Sequence, residues 1–369
     1  MKFIIVGTAY PYRSAVSTFN HSLARQLKVD GNEVEILTYT RHHTGKHISG
    51  DQKPDDLKIT RMIHSTNPLS WKKASNYIED SQPDEVIFAY TDSRSSVCMG
   101  HIAKNLNHAA KIKKLAIVKD IIPDNAKFID RILPYNLVRN VDGFVCISKN
   151  IAEDIEHFEK TPKPKKYTYL PVNSRFGERI PREEALSQLN LDPEYRYLLF
   201  FGSIRPFKGL DIMIDAFSDE RLRKYKLKLI IAGEFRDNIQ PYIDKIEERN
   251  ISDFLEMRSG YVEYRYLKKY FSAADMILQT YKTPHESGVT RLAFHFEKPM
   301  LVTNVRKLSD IVDNGSVGYV VEPKAQSIAE AIIDFYENNR GEEMEKNVAV
   351  EKLKFSWKNL TNTLETFFE

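Results

Sequence analysis

Short β-type runs alternate with amphipathic stretches along the chain, and the series occurs twice. In the first half Phe3–Val6, Val34–Leu37, Val86–Ala89, Leu115–Val118 and Phe144–Ile147 are apolar runs of strand length. In the second half Leu198–Phe201, Leu229–Ala232, Met276–Leu278, Met300–Thr303 and Tyr319–Val321 repeat the pattern. Continuous apolar runs without strict alternation suit strands covered on both faces, so the expected class is α/β with parallel sheets. Between two runs, Phe19, Leu23, Ala24 and Leu27 share one helical face, and Gly31-Asn32 ends that helix. The 369 residues exceed one ordinary core. Two domains are expected, with Thr161-Pro-Lys-Pro-Lys-Lys166 and the Pro-bearing stretch to Pro193 as the connection. Parallel sheets of this kind bind ligands beyond the carboxyl ends of their strands. If two such domains face each other, both sets of βα loops converge on a cleft.

Composition limits the function classes. With 42% apolar and 28% charged residues the chain reads as globular. No run approaches the roughly 18 uncharged apolar residues of a membrane span, and Met1–Val6 lacks the length of a signal peptide. A cytoplasmic chain is expected. Cys98 and Cys146, each in an apolar setting, read as core thiols rather than a disulfide or metal pair. A net charge of +3 and the lack of a zinc-finger or zipper pattern argue against nucleic acid as a partner. His42, His43 and His47 lie in the polar stretch 40–56, which reads as a solvated loop, and no metal site is expected.

Two segments carry anion-binding chemistry. Phe201-Gly-Ser-Ile-Arg-Pro-Phe-Lys-Gly209 stands between a strand run and the helical repeat Leu210, Met213, Ile214, Phe217. A helix N-terminus presents unpaired N–H groups, and Arg205 and Lys208 add full charges within a turn of it. A phosphate or diphosphate fits, although an ordinary βα turn with solvated cations would use the same residue types. The second segment, Thr280-Tyr-Lys-Thr-Pro-His-Glu-Ser-Gly-Val289, also follows a strand run and precedes a helix, Thr290–Glu297. Ser287 suits the N-cap there, leaving the Gly288 and Val289 amides for phosphate oxygens, with Glu286 at the rim. Simple capping is the plainer reading.

These segments, with Ile231-Ala-Gly-Glu-Phe235, Tyr270–Met276, Glu286–Val289 and Glu297–Val305, resemble family 4 retaining glycosyltransferases, the group 1 glycosyltransferases. Pro11-Tyr-Arg13, Lys119–Pro123 and Asp142–Ser148 are similar to the acceptor-domain landmarks of that family, so the resemblance spans nearly the whole chain. It implies the GT-B fold: an acceptor-side Rossmann-like domain over 1–172, a nucleotide-sugar domain over 173–350, and a terminal helix over 351–369, capped by Ser356, returning to the first. It implies transfer of a sugar from a UDP- or GDP-sugar to a polysaccharide or glycolipid with retention of configuration. The donor is then a substrate, and neither cofactor nor metal is needed.

The resemblance also assigns roles. Lys208 and Arg205 hold the donor diphosphate with Ser287, Gly288 and Val289, and Arg205, Lys208 and Glu286 form the catalytic set. Arg205 matches an arginine that usually stands two residues earlier, where this chain has Ser203. Tyr261 and Val262 receive the base, and Lys119 and Glu286 face the donor sugar. Tyr10, Arg13, Ser14 and Asp92 line the acceptor side; turn formation is their alternative role. His101, Lys104, His108 and Lys111 would share a helical face, extended by Lys113 and Lys114, able to approach anionic lipid in an enzyme acting on lipid-linked acceptors, although a solvated face is the plainer reading. The chain departs from the family where Pro284 and Leu292 replace two glutamates spaced eight apart, and where Ser14-Ala15 replaces a Gly-Gly pair. Those departures keep open a second reading, a non-catalytic GT-B partner or regulatory subunit of another transferase. A phosphorylase of the same general fold lacks a pyridoxal-phosphate lysine context here.

Overall fold

The computed structural model describes residues 1–369 except 13, 43–53, 91, 107–110, 123–125, 148, 173–175, 285–286, 306–307 and the side chain of Lys149. The chain divides into two compact units, Met1–Pro171 with Ser356–Glu369, and Val172–Phe355.

The first unit contains strands β1 (Lys2–Val6), β2 (Glu33–Arg41), β3 (Lys58–His64), β4 (Glu85–Tyr90), β5 (Lys113–Val118), β6 (Gly143–Cys146) and β7 (Lys165–Tyr167). Helices α1 (Ala15–Val29), α2 (Pro68–Ser81), α3 (Ser95–Asn105), α4 (Tyr135–Val138) and α5 (Lys149–Glu156) connect them. All strands are parallel, in the order β3-β2-β1-β4-β5-β6-β7. The order reverses between β1 and β4, which makes a crevice at their carboxyl ends. β4 is buried throughout and β5 nearly so, as expected of strands with helices on both faces.

The second unit repeats the scheme with β8 (Arg196–Phe201), β9 (Leu227–Gly233), β10 (Leu255–Ser259), β11 (Met276–Gln279), β12 (Met300–Thr303) and β13 (Gly318–Val321). Its helices are α6 (Arg182–Leu189), α7 (Leu210–Phe217), α8 (Gln240–Glu248), α9 (Leu267–Ala273), α10 (Gly288–His295), α11 (Ala325–Glu337) and α12 (Gly341–Glu351). The sheet order is β10-β9-β8-β11-β12-β13, reversing between β8 and β11.

The last helix, α13 (Trp357–Glu365), returns to the first unit. Ser356 caps it by accepting from the Asn359 amide at 3.1 Å. Its apolar face carries Leu360 and Leu364, which are buried with Phe367 against Phe3, Ile5 and Leu23, each such side chain stabilising by about 1.5–3 kcal/mol. The Trp357 ring packs against Phe19 of α1 in a tilted arrangement, centroids 5.3 Å apart. Lys358 pairs with Asp30 at the end of α1.

Several sequence expectations change. Strands β3 and β7 carry mixed and basic residues, and β7 falls inside the stretch expected to be a connector. Both are sheet edges, where lysines are tolerated because one side of the ladder faces solvent. His42 is buried at the end of β2, edge-on to Tyr12 and Tyr39, while His43 and His47 lie outside the described residues. The basic helical face is not continuous. His101 and Lys104 are on α3, His108 is outside the described residues, and Lys113 and Lys114 open β5, where Lys114 is buried beside Asp142. Cys98 and Cys146 are free and buried. Among the described residues no group of His, Cys, Asp and Glu has the geometry of a metal site, and no helix is long and apolar enough to cross a membrane.

Candidate functional site

Because β8 and β11 are neighbours, the loops that leave their carboxyl ends meet. The loop after β8 passes Gly202 and forms a 3-10 turn, Pro206–Lys208, before α7. Pro206 opens that turn without wasting a donor, and Gly209 ends it at φ 71°. A Cβ on Gly209 would lie 1.9 Å from the Thr280 carbonyl oxygen, so the two loops touch backbone to backbone. Thr280 Oγ1 donates to the Gly209 carbonyl at 2.9 Å, the Lys282 amide donates to the Phe207 carbonyl at 2.7 Å, and Phe207 packs edge-on against Tyr281.

The expected anion site after β8 is therefore built differently from a helix N-terminus. The Lys208 and Gly209 amides are spent within the turn, on the Arg205 and Pro206 carbonyls. The Lys208 side chain supplies the cation. Its ammonium folds back over Gly202, 3.0 Å from where a Cβ there would sit, and 5.4 Å from the centre of the Tyr281 ring. That same Cβ position is 3.4 Å from Val289 Cγ2, so the ammonium stands beside the start of α10. Burial, and the Arg205 charge second, push Lys208 down to about 8. Arg205 itself is exposed.

At α10 the capping reading holds for one amide. Ser287 Oγ accepts from the Val289 amide at 3.2 Å and lies 3.0 Å from the Tyr281 hydroxyl, so that amide is not available to a ligand as expected. Burial pushes the Tyr281 phenol above its ordinary range. Among the described residues the Gly288 amide has no partner, and the space around a Cβ on Gly288 is open to 4 Å. Glu286 lies outside the described residues.

Arg236, which sequence reasoning did not single out, donates from Nε to Ser203 Oγ at 3.3 Å while pairing with Glu234 at 2.9 Å. A guanidinium thus stands beside Ser203, reached from the loop after β9. The β8–β9 pairing, carried on by the Ile204–Phe235 bridge, brings the two positions together across 33 residues of sequence. A cavity of about 360 Å³ opens at the end of β10, lined in part by Arg258, Tyr261, Val262, Tyr266, Lys269 and Tyr270. Tyr261, expected near a base, is 67% exposed at its rim.

The other expected residues belong to the first unit. Lys119, at the end of β5, holds its ammonium 3.4 Å from the centre of the Phe19 ring, a cation–π contact. Ser14 is the N-cap of α1, accepting from the Ser17 amide at 3.0 Å, and Asp92 accepts from the Ser95 amide at 3.0 Å. The Tyr10 amide donates to His21 Nε2 at 3.1 Å. These polar groups fix turns at the carboxyl ends of β1 and β4. Arg13 lies outside the described residues.

Two doubly wound units, the second with a desolvated lysine and a helix start at its switch point, have the architecture of the GT-B fold. Residues 181–352 match the family of glycosyl transferases group 1. Over its full length the chain is 23% identical to an uncharacterized glycosyltransferase of Methanocaldococcus jannaschii, of which it covers 98%. A 125-residue stretch, 33% of this chain and 34% of the relative, is 28% identical to the GDP-mannose:glycolipid 4-beta-D-mannosyltransferase of Xanthomonas campestris pv. campestris. The fold is shared with Anabaena HepE, solved in complex with UDP, at a TM-score of 0.69 and 14% identity over 99% of this chain and 100% of that one.

Proposed function

We propose that this glycosyltransferase moves a sugar from a UDP- or GDP-sugar to a saccharide or lipid-linked acceptor with retention of anomeric configuration, without a metal or cofactor. The observation that carries the reading is the Lys208 ammonium, desolvated and without a carboxylate partner in hydrogen-bond reach among the described residues, beside the start of α10. A half-buried, desolvated cation of this kind fits a polyanion that arrives with the substrate. The name of the Xanthomonas relative specifies a GDP-sugar and a glycolipid, and the HepE complexes contain UDP and UDP-glucose. Both nucleotides therefore belong among the candidates.

When the sugar leaves, negative charge grows on the diphosphate and positive charge develops at the anomeric carbon. Lys208 and the Gly288 amide would stabilise the leaving group, joined by Arg205 from the loop after β8 and Arg236 from the loop after β9. A preorganised donor is worth about 3–4 kcal/mol in such a site. The β10 cavity fits a base, with Tyr261 and Val262 at its mouth. Lys119 and Glu286 on the donor sugar, and Tyr10, Arg13, Ser14 and Asp92 on the acceptor, complete the reading.

The test is donor turnover by the purified chain. Incubation with UDP- and GDP-sugars, followed by proton NMR of the anomeric signal, should give hydrolysis or transfer with the donor's configuration kept. Inversion would refute the retaining mechanism. Nucleotide binding without any turnover would favour the non-catalytic partner, the reading that Pro284 and Leu292 at the paired-glutamate positions support.

A further inference from the structure

The first unit exposes an apolar ledge that neither donor chemistry nor folding explains. Phe128, Ile129 and Ile132 are 81%, 48% and 45% exposed. Among the described residues no other stretch of five exposes three large apolar side chains. Single exposed apolar residues are ordinary, but such a cluster marks a surface meant to be covered.

The exposure is held by polar bonds on the protein side of the turn. The 3-10 turn Phe128–Arg131 follows the loop end at Lys127, whose amide donates to Asp130 Oδ2 at 2.9 Å. Asp130 also accepts from the Ser93 hydroxyl, which ties the turn to the loop after β4, one residue from Asp92 on the expected acceptor side. The Leu133 amide donates to the Ile129 carbonyl at 3.0 Å, and Ser96 Oγ donates to the Leu133 carbonyl at 2.6 Å. With the backbone pinned, the three apolar side chains are left projecting.

Cations surround them. Lys127 and Arg131 are exposed within the ledge, and Asp130, the single acid between residues 126 and 139, is already occupied by Ser93 and the Lys127 amide. The same segment continues into a hollow of about 280 Å³ whose lining includes His101, Lys104, Tyr135 and Arg139. Arg139 lies over the Tyr135 ring at 4.6 Å, which holds its guanidinium at the rim. Apolar side chains flanked by basic ones match the two layers of a membrane surface, acyl chains below and anionic headgroups above.

We propose that Lys127–Ile132 is an interfacial anchor that seats the first unit on an anionic phospholipid bilayer. Phe128, Ile129 and Ile132 enter the boundary between headgroups and acyl chains, while Lys127, Arg131 and the His101–Lys104–Arg139 hollow take headgroup phosphates. This deepens the acceptor side of the proposed function by bringing the enzyme to the surface where a lipid-linked acceptor resides. Its readout needs no donor, so it can fail while the donor reading stands.

The experiment is vesicle co-sedimentation of the full chain with phosphatidylcholine alone and with about one-third phosphatidylglycerol, a content that gives the surface a strong negative potential. The wild type should sediment with the anionic vesicles, less so at high salt, and weakly with the neutral ones. Phe128→Glu/Ile132→Glu should lower partitioning roughly tenfold or more, by losing apolar insertion and adding repelled charge. Lys104→Ala/Arg139→Ala should weaken it by severalfold and flatten the salt dependence. All altered residues are exposed, and unchanged thermal unfolding would confirm that the fold is kept. Absence of binding to anionic vesicles, or equal binding by the Phe128→Glu/Ile132→Glu variant, overturns the proposal. So does a wild-type dimer, seen by analytical ultracentrifugation, that this variant dissolves, because the ledge would then be an interface between copies.

Discussion

Replacing Lys208 by Met should make the unliganded protein more stable while removing donor binding. Met keeps an apolar stem of similar volume and lacks the charge that burial penalises. The penalty follows from the depression of Lys208 from its ordinary value of 10.5 to about 8. At 1.36 kcal/mol for each tenfold change in proton affinity, holding the ammonium charged costs the folded state up to about 3 kcal/mol. Below pH 8 folded and unfolded chains are both protonated at this lysine, and the cost is fully present. Between about 8 and 10.5 the folded chain releases the proton while the unfolded chain keeps it, so the cost fades with rising pH. The advantage of Lys208→Met should therefore be greatest at pH 7 and vanish toward pH 10.5. At about 2–4 °C per kcal/mol for a unit of this size, the rise in Tm at pH 7 is expected to reach several degrees, with roughly 10 °C as the ceiling. Differential scanning calorimetry across pH 6.5 to 10.5 tests this. A variant less stable than wild type at pH 7, or an advantage that does not shrink with pH, would refute the idea of a desolvated cation poised for a ligand.

Gly288→Ala and Gly209→Ala should separate binding from folding. The first adds a methyl group in open space at the start of α10 and should leave Tm near wild type while weakening nucleotide affinity; the second forces a Cβ into the Thr280 carbonyl and should cost several kcal/mol of stability. Tyr261→Ala, at the rim of the β10 cavity, should raise the nucleotide Kd by roughly 5- to 100-fold if the base stacks there, with Tm unchanged, as read by fluorescence titration. Glu85 tests the titration logic away from the site. It is buried at the start of β4, has one carboxyl oxygen without a partner, and is pushed up to about 8 by burial. Its raised value means the folded chain binds the proton better than the unfolded one between about 4.5 and 8, so stability falls as pH rises through that window. Glu85→Gln should raise Tm at pH 8 and change it little at pH 5.

Sequence periodicity carries most of the fold, because parallel strands buried on both faces are written as continuous apolar runs. The strands absent from the apolar runs, β3, β7 and β10, are edges whose residues meet solvent. At the site, Lys208, Gly202 and Gly288 were legible as residue types that a strand-to-helix anion loop requires. Which amides remain available was not, since hydrogen bonds such as Val289 to Ser287 depend on rotamers that sequence does not encode. Arg236 is the clearer case. Nothing near it in sequence points to Ser203, and the contact arises because the β8–β9 pairing is carried on by the Ile204–Phe235 bridge. The apolar ledge was also invisible, since apolar residues such as Phe128, Ile129 and Ile132 carry no mark of their exposure in sequence.

Isothermal titration of the full chain with UDP and with GDP, repeated on Lys208→Ala, tests the central claim most directly. At least one nucleotide should bind the wild type, and removal of the ammonium should weaken it by roughly 30- to 1000-fold, the range expected for a desolvated charge on a diphosphate. A wild-type chain that binds neither nucleotide nor any of their sugars, or a Lys208→Ala variant that binds as well as wild type, would contradict the account.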